Sequence, residues 1–211
     1  MMEQMLENAI EETRAPLGPT SAIIAVHWQY DVVAPGGALS RTFAKSVGER
    51  GVVAKSAKLF DYARRAGAHI VYVIVQKELR NTPHIANNSL WNLMKRTDQF
   101  FEGTRGVEIL DELAPSPQDV VIHHDRISCF YGTSLLSYLV GTHIKDVYLT
   151  GVATNVAVDH TAKDAVQYGF NTYLIEDCCA AADMKMHDAA LMTLRVLCTG
   201  IVTSEEILKE G

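Results

Sequence analysis

The feature that most constrains this chain is a series of short apolar runs rich in β-branched residues. They are Ala22 to Val26, His69 to Val75, Val120 to His123, Val147 to Thr150, Asn171 to Ile175 and Ile201 to Thr203. Val, Ile and Leu follow one another in them without the polar alternation of a strand that has one face in water, so both faces must be covered. All but the last are followed by a segment of helical character, and strand–helix–strand crossovers make the strands parallel. The expected fold class is α/β, a three-layer α/β/α sandwich. Lys45 to Ala66 has apolar residues at helical spacing and stops at Gly67, while Asn155 to Tyr168 stops at Gly169, a common helix-ending residue.

With 211 residues, 48% of them hydrophobic, the chain suits one domain with a full core, read as 21–211 behind an N-terminal extension, 1–20. The formal charge of -6 and the scattering of 19 basic residues exclude a nucleic-acid or anionic-membrane surface, which needs clustered Lys and Arg. No stretch approaches the roughly 18 apolar residues of a membrane span. Met1 to Pro16 is polar and acidic, unlike a secretory leader, so a cytoplasmic protein is expected. The four cysteines lack metal-ligand spacing, and the adjacent Cys178-Cys179 pair is a poor disulfide, so reduced thiols are expected. Cys178, Cys179 and Cys198 read as small core residues; Cys129 reads either as a buried thiol or as a displaced nucleophile.

In open α/β sheets functional residues gather beyond the carboxyl ends of the strands, where strand order reverses. That rule selects His27-Trp28-Gln29-Tyr30-Asp31, Gln76-Lys77-Glu78, His123-His124-Asp125-Arg126 and the segment Leu149 to Val158. In the last, a strand turns into a helix that Thr154 or Asn155 can cap. The free N–H groups of its first turn suit an anion or a developing oxyanion. A cysteine there would be an acidified thiolate, but the residue is Ala157, which cannot attack anything. The connection Gln76 to Pro117, with Trp91, Phe100 and Phe101, is too long for a simple βα loop and is expected to pack as a partial lid or subunit contact.

Five boxes, in this order, carry a resemblance that runs from Ser21 to Ile207: Gln29-Tyr30-Asp31, Ser128-Cys129-Phe130-Tyr131-Gly132-Thr133, Thr150-Gly151-Val152-Ala153-Thr154-Asn155-Val156, Thr161-Ala162-Lys163-Asp164-Ala165 and Asp177-Cys178-Cys179-Ala180-Ala181. The chain resembles the isochorismatase-like hydrolases, or cysteine hydrolase superfamily, which includes nicotinamidases and N-carbamoylsarcosine amidohydrolases. The resemblance implies a six-stranded parallel sheet of order 3-2-1-4-5-6, a cis peptide between Val152 and Ala153, and a homodimer or homotetramer. It also implies a catalytic aspartate after strand one, a lysine after strand three and a cysteine after strand four. At those positions this chain has His27, His124 and Ala157. An acyl-enzyme route through the cysteine, with the aspartate as base, cannot operate with these residues. The metal site of some nicotinamidases follows strand two as Asp-x-His; here the residues are Lys77-Glu78-Leu79. Isochorismatases proper lack the cysteine and hydrolyse a vinyl ether through proton transfer and water, but they keep the aspartate.

These readings give His27 and His124 as catalytic residues, since an imidazole exchanges protons near neutral pH. In the implied order they stand two strands apart, which leaves contact between them open. The N–H groups of Ala153 and Ala157 are the expected anion site. Trp28, Gln76, Trp91, Phe130 and Tyr131 are the expected pocket walls. Gln29 and Asp31 read as loop braces, and Asp159 and His160 as structural or interfacial. No cofactor and no metal are expected. Zinc or iron on His27, His124 and Asp31 or Glu78 is the competing chemistry, without a tight ligand motif to support it. The expected activity is hydrolysis of a small molecule by water and a general acid/base, not cysteine-dependent amidase action. Its rival is a non-catalytic member that binds a small molecule or a partner protein.

Overall fold

A computed structural model describes residues 16–77, 87–96 and 99–209. The six apolar runs become β1 (Ser21–Val26), β2 (His69–Val75), β3 (Val120–His124), β4 (Asp146–Val152), β5 (Asn171–Ala180) and β6 (Gly200–Val202). They form one parallel sheet in the order β3-β2-β1-β4-β5-β6. Covering helices make the sandwich three-layered. In chain order they are α1 (Tyr30–Val33), α2 (Ser40–Arg50), α3 (Val52–Arg65), α4 (Ser89–Arg96), α5 (Leu135–Gly141), α6 (Asp159–Gln167), α7 (Met184–Leu197) and α8 (Ser204–Leu208).

Every residue of β1 is buried, and its side chains divide between two cores. Ile23 and Ala25 join Val52, Leu59 and Phe60 of α3 on one face, with Trp28 and Ile207. Ala22, Ile24 and Val26 join Leu135, Ala162, Leu191 and Leu194 of α5, α6 and α7 on the other. This two-sided burial is why the strand sequences do not alternate.

Three local expectations are corrected. The helical stretch Lys45 to Ala66 is two helices, α2 and α3, separated by Gly51 in the left-handed region at φ 61. A helix also follows β6, where none was expected: Thr203, the N-cap of α8, and Glu206 within it form a reciprocal capping box. The turn after β4 is a π-helical turn, Thr154–Val158, whose N-cap is Ala153, so neither Thr154 nor Asn155 caps it.

At the carboxyl end of β1, Val26 pairs with Gly151 of β4. Gly151 has φ 123, and a Cβ there would lie 2.0 Å from the Val26 carbonyl oxygen. Only glycine fits both constraints. Gly151→Ala is therefore expected to cost about 3 kcal/mol or more, read as a lowered urea midpoint with unchanged slope. A wild-type midpoint would show that β1 and β4 can separate freely there. The Val152–Ala153 peptide that follows is cis. Among the described residues no helix is long and apolar enough to cross a membrane.

Candidate functional site

His27 follows β1 in the left-handed region at φ 56, its N–H donating to the Val73 carbonyl at 2.9 Å. That conformation is uncommon for a residue with a side chain, although histidine tolerates it better than most, and it clusters at functional sites. The chain turns here, and the imidazole meets that of His124, the last residue of β3. The two Nε2 atoms are 2.5 Å apart, with ring centroids 4.8 Å apart. The pair bridges the end of β2, so the contact left open by strand order is made.

Both rings are held neutral. Burial, then the neighbouring His124, push the His27 pKa well below its ordinary value, against a raising influence of the Val152 carbonyl. Burial likewise brings His124 down to about 4, opposed by the Ser128 backbone and by Asp125. A neutral imidazole donates from one nitrogen and accepts at the other, so one ring donates Nε2–H and the other accepts it. His124 Nδ1 is buried and has no hydrogen-bond partner among the described residues; the Ser128 backbone acts on the ring without completing such a bond. An added proton shared between the rings would form a charge-assisted N–H···N bond.

His27 faces a cleft with about 590 Å³ of empty space, part of it open to solvent. Val152, Ala153, Val156 and Ala157 line it together with Trp91, Met94 and Phe100 from the long β2–β3 connection. The Val156 and Val158 N–H groups both donate to the Ala153 carbonyl, which fixes the turn beneath Ala157. Asp31 braces the β2–β3 connection by accepting the Phe100 N–H at 2.9 Å. Gln29 clamps the neighbouring loops, donating to the Val75 and Val107 carbonyls and accepting the Val75 N–H.

Of the residues expected as pocket walls, Trp91 lines this cleft. Trp28 is fully buried in the core, and its indole donates to Thr150 Oγ1 at 3.4 Å. Phe130 packs on Tyr168 and Phe170, while Tyr131 is 69% exposed. Neither these three nor Gln76 is among the described residues that line the cleft. Arg126 does line it, although the sequence reading gave it no role within the His123 to Arg126 cluster. The available signal was a cation two residues after the strand-three histidine.

Cys129 lies in the core, where burial pushes its thiol up to about 12, and its N–H donates to Thr161 Oγ1. A protonated, enclosed thiol is no nucleophile. Two nitrogens on one tetrahedral zinc stand about 3.3 Å apart, so the His27–His124 contact is a hydrogen bond and not a ligand pair. Asp31 is engaged elsewhere, and Glu78 lies outside the described residues. Where some nicotinamidases place a metal-binding aspartate, the buried Lys77 donates to the Met94 carbonyl and stands over the Phe101 ring. A cation at that point does not fit a metal.

The isochorismatase domain family matches residues 21–206. The chain belongs to the isochorismatase family. Maleamate amidohydrolase of Pseudomonas putida is 24% identical over 201 residues, covering 93% of this chain and 89% of the relative. Ureidoacrylate amidohydrolase RutB of Agrobacterium fabrum is 28% identical over 169 residues, 74% of each chain. N-carbamoylsarcosine amidase from Thermoplasma acidophilum superposes with a TM-score of 0.70 at 27% identity, over 88% of this chain and 96% of that one. A cysteine hydrolase from Pseudomonas syringae shares the fold with a TM-score of 0.81 at 24% identity, over 93% and 94%.

Proposed function

We propose that this isochorismatase-family protein hydrolyses a small molecule without a covalent intermediate, using His27 and His124 where the family's cysteine enzymes use aspartate and lysine. The observation that carries the reading is the contact of His124 with His27, which lines a cleft that Ala157 also lines. His27, neutral and donating its Nε2–H to His124 Nε2, takes a proton from water at Nδ1 as the water oxygen bonds to the substrate. The resulting imidazolium shares its Nε2–H with His124 Nε2. The N–H groups of Ala153 and Ala157 stabilise the negative charge that develops on the substrate. His27 then returns the proton to the leaving group, so water is consumed and the pair is restored. The apolar side chains of Trp91, Met94 and Phe100 that line the cleft lower the local polarity and strengthen each polar contact beside them.

The test is a screen of amides, vinyl ethers and imines in 18O-labelled water, with rapidly quenched reactions weighed by mass spectrometry. One labelled oxygen in the product and an unmodified protein mass are expected; a covalent adduct on any residue would overturn the mechanism. A related expectation concerns Ala157→Cys. Alone it gives no strong nicotinamide hydrolysis, because a neutral, low-pKa imidazole pair does not supply the aspartate and lysine that a thiol route uses. The triple variant that adds His27→Asp and His124→Lys is expected to exceed it. Equal and robust turnover by the single variant would show that the histidines already activate a thiol.

A further inference from the structure

Among the described residues that line the cleft, Arg126 carries the one formal charge. Around it stand apolar side chains, among them Val32, Phe43, Trp91, Phe100 and Val156. One edge of its guanidinium is held by its neighbour: Nη1 donates to the Asp125 carbonyl at 2.7 Å and lies 3.2 Å from Asp125 Oδ2. Nη2 and Nε donate to no described residue, although arginine presents its five N–H groups in a planar fork suited to a two-oxygen acceptor. The Arg126 side chain is 26% exposed and that of Asp125 52%, so water screens the carboxylate more than the guanidinium. A ligand with no acceptor would strip water from this edge and leave its donors unmatched, whereas an anion would satisfy them.

We propose that Arg126 determines specificity by receiving the carboxylate of a small monoanionic ligand whose apolar body fills the cleft in front of His27. The proposal rests on the same cleft as the proposed function, but not on catalysis. Charge sets the ligand class at Arg126, and the apolar walls accept the remainder without a defined polar pattern. Arg126 is then a binding group that orients the ligand toward His27.

Paired acids and amides of the same shape test this: benzoate with benzamide, crotonate with crotonamide, and phenylacetate with phenylacetamide. Binding is read by calorimetry and thermal shift on the whole protein, which needs no turnover. Each acid that binds is expected to bind more tightly than its amide. Arg126→Gln is expected to weaken the acids about 10- to 100-fold, the range of one charge-assisted contact, and to leave the amides unchanged. Arg126→Lys keeps part of the preference. Should the Gln variant fail to fold, raising salt tenfold on the wild type must weaken the acids alone. Acids that bind no better than their amides, or a preference that survives Arg126→Gln, would overturn the assignment. His27-dependent turnover of a neutral substrate alongside that result would leave the hydrolase reading standing. Acid binding without any turnover would do the reverse.

Discussion

His27→Asn is expected to leave the protein folded and to cut turnover on its substrate by about 100- to 10,000-fold, the loss typical of a general acid/base. Asparagine is the informative replacement because His27 stands at φ 56, and asparagine accepts left-handed backbone as readily as histidine does. Alanine would add strain to the loss of the ring and blur the comparison. The substitution also deprives His124 Nε2 of its partner at 2.5 Å, so part of the effect passes through the second ring. His124→Asn separates the two contributions. If the rings work as one unit, the double variant loses little more than either single variant. A binder without catalysis gives another pattern: ligand affinity shifts, and across amides, vinyl ethers and imines no reaction depends on His27.

The pH profile carries the same distinction. The depressed His27 pKa leaves the basic form present at neutral pH, so turnover is expected to stay level from pH 8 to pH 6 and to fall only in more acid solution. A fall centred on the ordinary histidine value of about 6.5 would show that the catalytic ring is not held neutral.

The sheet was legible because burial on both faces writes continuous apolar runs, and the strand order came with the family resemblance. The ends of elements were less so. Asp146 and Gly151 extend β4 beyond its apolar centre through backbone pairing with β1, which side-chain pattern does not record. The π-helical turn at Thr154–Val158 depends on two N–H groups sharing the Ala153 carbonyl, and no residue type announces that. For the site, the sequence brought out His27, His124, Ala153 and Ala157 one by one, but not the contact between the rings. Neighbouring strands lie about 4.8 Å apart, so the ends of β1 and β3 are separated by about 10 Å of backbone. The left-handed turn at His27 and the reach of two imidazoles close that gap. Aromatic content drew attention to Trp28, Phe130 and Tyr131, yet which face of the sheet an aromatic enters follows from register, which residue type alone does not give.

A drop from pH 7 to pH 5 is expected to destabilise the fold by about 2 kcal/mol for each histidine it keeps neutral. His124 and His187 are both brought down to about 4, by burial first in each case. In the unfolded chain each titrates near 6.5, so between pH 6.5 and 4 the unfolded state binds protons that the folded state refuses. Stability therefore rises with pH through that window and is fully present above it. His27 acts in the same direction, although as a coupled pair it and His124 contribute less than two independent groups. His187 shows what protonation breaks. Arginine can only donate, so the contact of Arg50 Nη2 with His187 Nε2 at 3.2 Å makes that nitrogen the acceptor, and Nδ1–H donates to Thr154 Oγ1 at 2.9 Å. A proton on Nε2 sets two cations against each other and releases Arg50 from the residue that anchors the first position of the π-helical turn. Urea unfolding at pH 7 and pH 5 measures the loss, and His187→Gln, neutral at both, should remove about 2 kcal/mol of the difference. Equal stability at the two pH values would mean that these histidines take up protons inside the fold, and the neutral His27–His124 pair would have to be given up with them.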